Sequence, residues 1–136
     1  TKADAAARLL VVCADSLKVN EIRGDSTGTI KIIAGLKRTT ISDSARSLAV
    51  EPDLVRKKRK FQAISDALYD LTRSVAYDRM KIFHLHCPMA FNDSEDGTWI
   101  SNSSEVVNPY LGRKHPKFKD KMISCGDVTD SIDFTK

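Results

Sequence analysis

Three cysteines, four prolines, six glycines and a single tryptophan are all that these 136 residues contain of the residue types that most constrain a chain. No stretch approaches the roughly eighteen consecutive apolar residues of a membrane-spanning helix. The N-terminus lacks the charged-then-apolar pattern of a secretion signal, so the chain is expected to be soluble, and a processed form if it is exported. Internal repeats and low-complexity tracts are missing. So are catalytic signatures. There is no serine in a glycine-flanked turn and no HExxH, and the polar segment 24–28 is too short for a phosphate loop. Cys87 with His84 or His86 makes a poor nucleophile and base, because sequence neighbours rarely align for proton transfer. Hydrolase or transferase activity is therefore not expected. Charge of one sign is scarce too: 22 Lys and Arg against 18 Asp and Glu leave a net +4. That balance alone does not indicate nucleic-acid binding. The one dense basic run, RKKRK at 56–60, lies in a helical period and reads as a solvated helix face rather than a phosphate-binding patch.

What is present divides near residue 80. Over 3–77 apolar residues recur every three or four positions, the period of helices. Ala6, Leu9, Leu10, Cys13 and Leu17 make a first stripe, which the polar, glycine-containing segment 19–28 ends. Cys13 on that stripe reads as a small buried hydrophobe. A second helix is predicted from about Thr29 to Ala49, with Ile30, Ile33, Ile41, Ala45 and Leu48 facing inward. Glu51-Pro52 marks a break. Leu54, Phe61, Ile64, Leu68, Leu71 and Val75 then form a bundle seam. The three helices are expected to pack antiparallel.

From Lys81 onward that period is gone. Three of the four prolines, all three histidines, two of the three cysteines and the tryptophan lie here. Residues 81–86 alternate, which predicts a short strand with His84 and His86 on one face and Phe83 and Leu85 on the other. Residues 97–101 predict a second strand, while Asn108-Pro109-Tyr110 and Cys125-Gly126 are turn signals. The expected fold is all-α: an antiparallel bundle of three to four helices (1–80) carrying an irregular C-terminal strap (81–136) with a short β-hairpin. Residues 1–136 are expected to form one domain, because so short a strap struggles to build its own core. Trp99 and Tyr110 read as anchors for the strap, and His115, in a charged stretch, as exposed.

HLHCPMAF, at 84–91, carries the chemistry. Cys87 and Cys125 are 38 positions apart and leave two readings open. In an oxidising compartment they form a disulfide. In a reduced one they are thiolates for a soft ion. The spacing is not a paired CxxC zinc signature. His86, Cys87 and Met89 bring imidazole, thiolate and thioether together, and Met122 lies three residues before Cys125. Those donor types favour copper(I) over zinc, with ligands His86, Cys87, Met89, Met122 and Cys125. The expectation is a copper-binding protein of metal storage, delivery or efflux. The alternative is a non-metal protein–protein interaction module with a structural disulfide, which requires an apolar face left over after the bundle packs.

His86-Cys87-Pro88-Met89-Ala90-Phe91, Trp99, Asn108-Pro109-Tyr110 with Gly112, Met122 and Cys125-Gly126 resemble the HCPMAF, W, NPYxG, M, CG pattern of a bacterial envelope domain. That domain has no assigned function and occurs alone or appended to CusB-like periplasmic efflux adaptors. Residues 45–75 are similar, more loosely, to the family's last long helix. The resemblance implies a periplasmic or otherwise exported helical bundle tied to copper handling. Its partners would be a metal ion and an efflux adaptor or another envelope protein. Charge balance and hydropathy lead to no expectation of nucleic acid or membrane insertion, and an apolar face left by a missing first helix makes a homodimer one option. The same five sulfur and imidazole residues would be its metal-site positions, and Trp99, Asn108, Pro109, Tyr110 and Gly112 its scaffold. Two departures stand out. Residues 113–121 intervene between glycine and methionine, and the family's bundle begins with a further helix, so the chain is expected to be a trimmed form.

Overall fold

The computed structural model describes residues 1–135, which form two compact units, Thr1–Tyr77 and the segment from Asp78 onward. The first contains helices α1 (Lys2–Asp15), α2 (Thr29–Val50) and α3 (Leu54–Ser74), with a 3-10 turn at Val19–Glu21. At each helix start a side chain accepts from one or more of the orphan amides. Thr1 Oγ1 accepts the Asp4 N–H at 3.1 Å, and the Asp53 carboxylate accepts that of Arg56 at 2.9 Å. Asp25 reaches forward to accept from Ile30 and Lys31 at 3.2 and 2.8 Å. Pro52 explains why α2 stops at Val50.

Polar ties give the helix directions. Asp15 meets Ser42 and Arg46, while Leu17 C=O accepts from Arg38 further back along α2. Lys37, early in α2, pairs with Asp70, late in α3, at 2.9 Å. Both neighbouring pairs are therefore antiparallel. The core between them is rich in alanine: Ala7, Ala14, Ala34, Ala45, Ala49 and Ala67 are buried around Ile41, Leu48, Ile64 and Leu71. Small residues let the helices approach closely, so the larger aliphatics do most of the apolar burial. Ile41, 1% exposed, contributes on the order of 1.5–3 kcal/mol.

The expected phase of the first helix is wrong. Ala7, Leu10, Val11 and Ala14 face the core, whereas Leu9 and Cys13 are exposed, so Cys13 is not a buried hydrophobe. The helix is apolar on two faces, and periodicity alone cannot tell which one packs. Leu54, assigned to the seam of α3, is likewise exposed because it sits in the first turn, beyond the reach of the core.

The all-α expectation is overturned by the second unit. It is a three-stranded antiparallel sheet in the order β2-β1-β3, built from β1 (Ile82–Phe91), β2 (Glu95–Ser101) and β3 (Asp127–Ile132). Two things hid it. DVTDSI has three β-branched residues, but its two aspartates and almost wholly exposed surface leave no apolar alternation to mark a strand, and it is held by pairing with residues 82–86 of β1. Pro88, a residue that would ordinarily end a strand, instead sits where the β1–β2 register shifts between Cys87 and Phe91, so β1 runs on past the predicted 81–86. A bulge tolerates a residue with no N–H to give. Asn92 and Asp93, both at positive φ, turn the chain from β1 into β2.

Candidate functional site

Cys87, Phe91, Trp99, Asn108, Tyr110, Cys125 and Gly126, scattered along the motif, converge on one hub. In β1, Leu85 stands opposite Trp99 and Cys87 opposite Gly97. Leu85 and Cys87 are fully buried, and His84 and His86, on the other face, are partly exposed. Cys87 and Cys125 are joined, with Cα atoms 5.7 Å apart, inside the range a disulfide spans without backbone movement. The bridge needs Gly126. At φ +143° it passes so close to β1 that an added Cβ would lie 2.5 Å from the His86 carbonyl oxygen and 2.9 Å from the Trp99 ring.

Asn108 holds the opposite side of the bridge. Its amide donates to Cys125 C=O at 2.9 Å, and its Oδ1 accepts from the Tyr110 and Leu111 N–H groups at 2.8 and 3.0 Å. The side chain is 2% exposed and satisfied by these bonds, as a buried amide must be. Tyr110 donates its hydroxyl to Thr98 C=O and packs its ring against Phe91 at 5.5 Å and Trp99 at 6.1 Å. The same ring leaves room only for glycine at 97, where a Cβ would fall 2.5 Å from that of Ala90. Spacing announced the turn at Asn108 but not that it would clamp the disulfide.

The five predicted ligands do not meet at one point. Both cysteine sulfurs are spent on the bridge, and Cys87 Sγ also accepts the Met89 N–H at 3.4 Å. Met122 is buried in a 3-10 turn, Asp120–Ser124. His86 faces away from Cys87, and its ring lies between two carboxylates on neighbouring strands: Nδ1 is 3.7 Å from Asp96 and Nε2 is 3.9 Å from Asp127. Because those oxygens flank opposite nitrogens, they offer no common centre at the roughly 2 Å that a metal bond requires. Among the described residues, no group of three or more His, Cys, Asp and Glu side chains is arranged to hold a metal ion. The two aspartates escaped notice because their approach to His86 depends on strand register.

His115, expected at the surface, is buried. Its Nε2 lies 2.7 Å from Asp93 Oδ1, and its Nδ1 accepts the N–H groups of Lys117 and Phe118 at 3.1 and 3.0 Å. The neutral ring therefore carries its proton on Nε2 and donates it to Asp93. With both nitrogens engaged, the imidazole has no lone pair to offer a substrate or an ion, and its bond to Asp93 ties the 113–119 loop to the β1–β2 turn.

In the helical unit, a cavity of 290 Å³ is lined by Asp15, Arg38, Thr39, Ser42, Asp43 and Arg46. Several of its polar groups already serve the fold: Asp15 accepts from Ser42 and Arg46, and Arg38 donates to Leu17 C=O. Compared with protein-family models, curated proteins and solved structures, the chain matches none.

Proposed function

We propose that this chain is a protein–protein interaction module, in which the outer face of α1 docks on the same face of a second copy and the sheet unit is a disulfide-framed scaffold. The observation that carries this reading is the second apolar face of α1. Leu9 and Val12 are 64% and 63% exposed there, beside Cys13 and Ala5, although the opposite face already fills the core. Apolar side chains grouped on one helix face are a recognised mark of an interaction surface. A second copy fits because Leu9 and Cys13, both exposed, are spaced by four within the helix, and an antiparallel two-fold crossing midway between them sets Leu9 of one chain against Cys13 of the other on both sides. Burying Leu9 and Val12 from both copies supplies on the order of 6 kcal/mol. Association entropy offsets much of it, so the dimer is weak and reversible. The buried disulfide favours a place outside the reducing cytosol, in the periplasm or beyond.

Sedimentation equilibrium of the whole chain tests the reading, with Leu9→Asp/Val12→Asp as the control and a short thiol crosslinker reporting through Cys13. Self-association that the substitution abolishes, with crosslinking at Cys13, is expected. A monomer at millimolar concentration, or a dimer indifferent to the substitution, refutes it.

Soft-metal binding remains a second reading because of one observation. Cys87 and Cys125 close on one another in the fold, with Met89 and Met122 nearby in sequence, so a soft ion added after reduction would take the place of the S–S bond between two thiolates. A copper(I) competition titration before and after reduction decides it. Tight one-to-one binding that needs reduction supports a thiolate site, tight binding to the oxidised chain points to His86 and the methionines, and no binding in either state removes the metal.

A further inference from the structure

Independently of the α1 face, we propose that the tip joining α2 to α3 docks on an anionic lipid bilayer, with Val50, Leu54 and Val55 entering the headgroup boundary and the cationic run 56–60 resting on lipid phosphates. The three aliphatic side chains are 77%, 65% and 46% exposed, and Pro52 between them is exposed too. They lie at the end of α2 and in the first turn of α3. Immediately behind them comes RKKRK. Helix geometry sets the two groups at different depths: Lys58 follows Leu54, and Arg59 follows Val55, by four residues, about 6 Å along the axis. An apolar point backed by cations one turn higher matches the boundary between acyl chains and headgroups, where side chains bury about 5–10 Å deep. A nucleic acid would engage the cations through its phosphates but give the aliphatic point no comparable partner.

Charge points the same way. Residues 50–60 carry five cations and two carboxylates, Glu51 and Asp53, and each carboxylate accepts a backbone N–H, from Asp53 and Arg56 respectively. Lys57 is tied to Asp4 at 2.6 Å, which anchors the first turn of α3 to α1. Burial pushes the Lys58 ammonium below the ordinary lysine range, with no carboxylate contributing. A lipid phosphate would return part of the stabilisation that this cation loses with its water.

Co-sedimentation of the whole chain with vesicles tests the proposal, using phosphatidylcholine alone and phosphatidylcholine mixed with phosphatidylglycerol, and double-stranded DNA as a lipid-free polyanion. Binding to the anionic vesicles, falling as salt rises, is expected. Arg56→Glu/Lys60→Glu should weaken it at least 25-fold, since each cation near an anionic surface contributes about fivefold, ~1 kcal/mol. Leu54→Ser/Val55→Ser should weaken it about tenfold or more. Unchanged circular dichroism of both variants confirms that the helices persist. Failure of the wild-type chain to bind anionic vesicles overturns the proposal, as does equal binding to phosphatidylcholine. It is overturned equally if Leu54→Ser/Val55→Ser has no effect while DNA binds as well as lipid, which would make the run a general polyanion site.

Discussion

Reducing the Cys87–Cys125 bridge should unfold the sheet unit and leave the three helices standing. The bridge closes a loop of 38 residues, and loop-closure entropy for that length is worth about 4 kcal/mol at 25 °C. A unit as small as residues 78–135 rarely holds more than about 3–5 kcal/mol from its core alone, so the bridge accounts for most of its margin. Trp99 makes the experiment clean. It is the chain's only tryptophan, lies 4% exposed beside the bridge, and reports on this unit, while far-UV circular dichroism follows the helices. In urea, with a slope of about 1 kcal/mol/M for so small a unit, the Trp99 transition should move down by about 4 M, or be complete without denaturant. The helical signal should hold. Thiol titration of the denatured chain should rise from one group, Cys13, to three. Three thiols with the Trp99 midpoint moved by less than about 0.5 M would refute the reasoning, because the sheet unit would then be stable without its bridge.

Asn108→Ala removes three bonds from a buried position and should destabilise the sheet unit by about 3 kcal/mol in the same Trp99 assay. Asn108→Asp keeps the acceptor but loses the donor to Cys125 C=O, so a cost near zero would show that this bond contributes nothing. His115→Ala should cost about 2–3 kcal/mol, since it leaves the Asp93 carboxylate and the Lys117 and Phe118 amides to find water. In the wild type, nitrogen NMR should find the neutral ring protonated at Nε2, and protonation at Nδ1 would contradict the assignment. Asp4 is held below its ordinary carboxylate pKa of 3.8, first by its bond to Lys57 and then by Thr1. Between that lowered value and 3.8 the native state binds fewer protons than the unfolded chain. The bond's stabilisation is therefore full above 3.8 and lost as pH falls through the folded value. Asp4→Asn should flatten that part of the acid unfolding profile of the helices, and an unchanged slope would refute the pairing.

Legibility differed sharply between the two halves of the chain. The ends of α2 and α3 follow from Pro52 and from the cap at Asp53, and the inward positions Ile41, Ala45, Leu48, Ile64 and Leu71 follow from a single period. Such local rules act over a few residues and need no knowledge of the rest of the molecule. α1 shows their limit. Both its faces are apolar, so burial of Ala7 and Ala14 rather than Leu9 and Cys13 is decided by what α2 presents to it. The same limit hid β3, whose residues become a strand only because β1 offers an unpaired edge.

The sequence by itself determined the three helices, the change of character near residue 80, the strand alternation at 81–86 and the closeness in chain of sulfur and imidazole. Tertiary structure decided which of those groups meet. Cys87 reaches Cys125 only because Gly126 lets two backbones approach, Asn108 clamps the bridge from 17 residues away, and His86 is turned by strand alternation toward Asp96 and Asp127 instead of toward the sulfur. Residue type sets what a side chain is able to bind, but the direction it points depends on strand register and on close packing between distant segments, and a pattern in one dimension does not carry either.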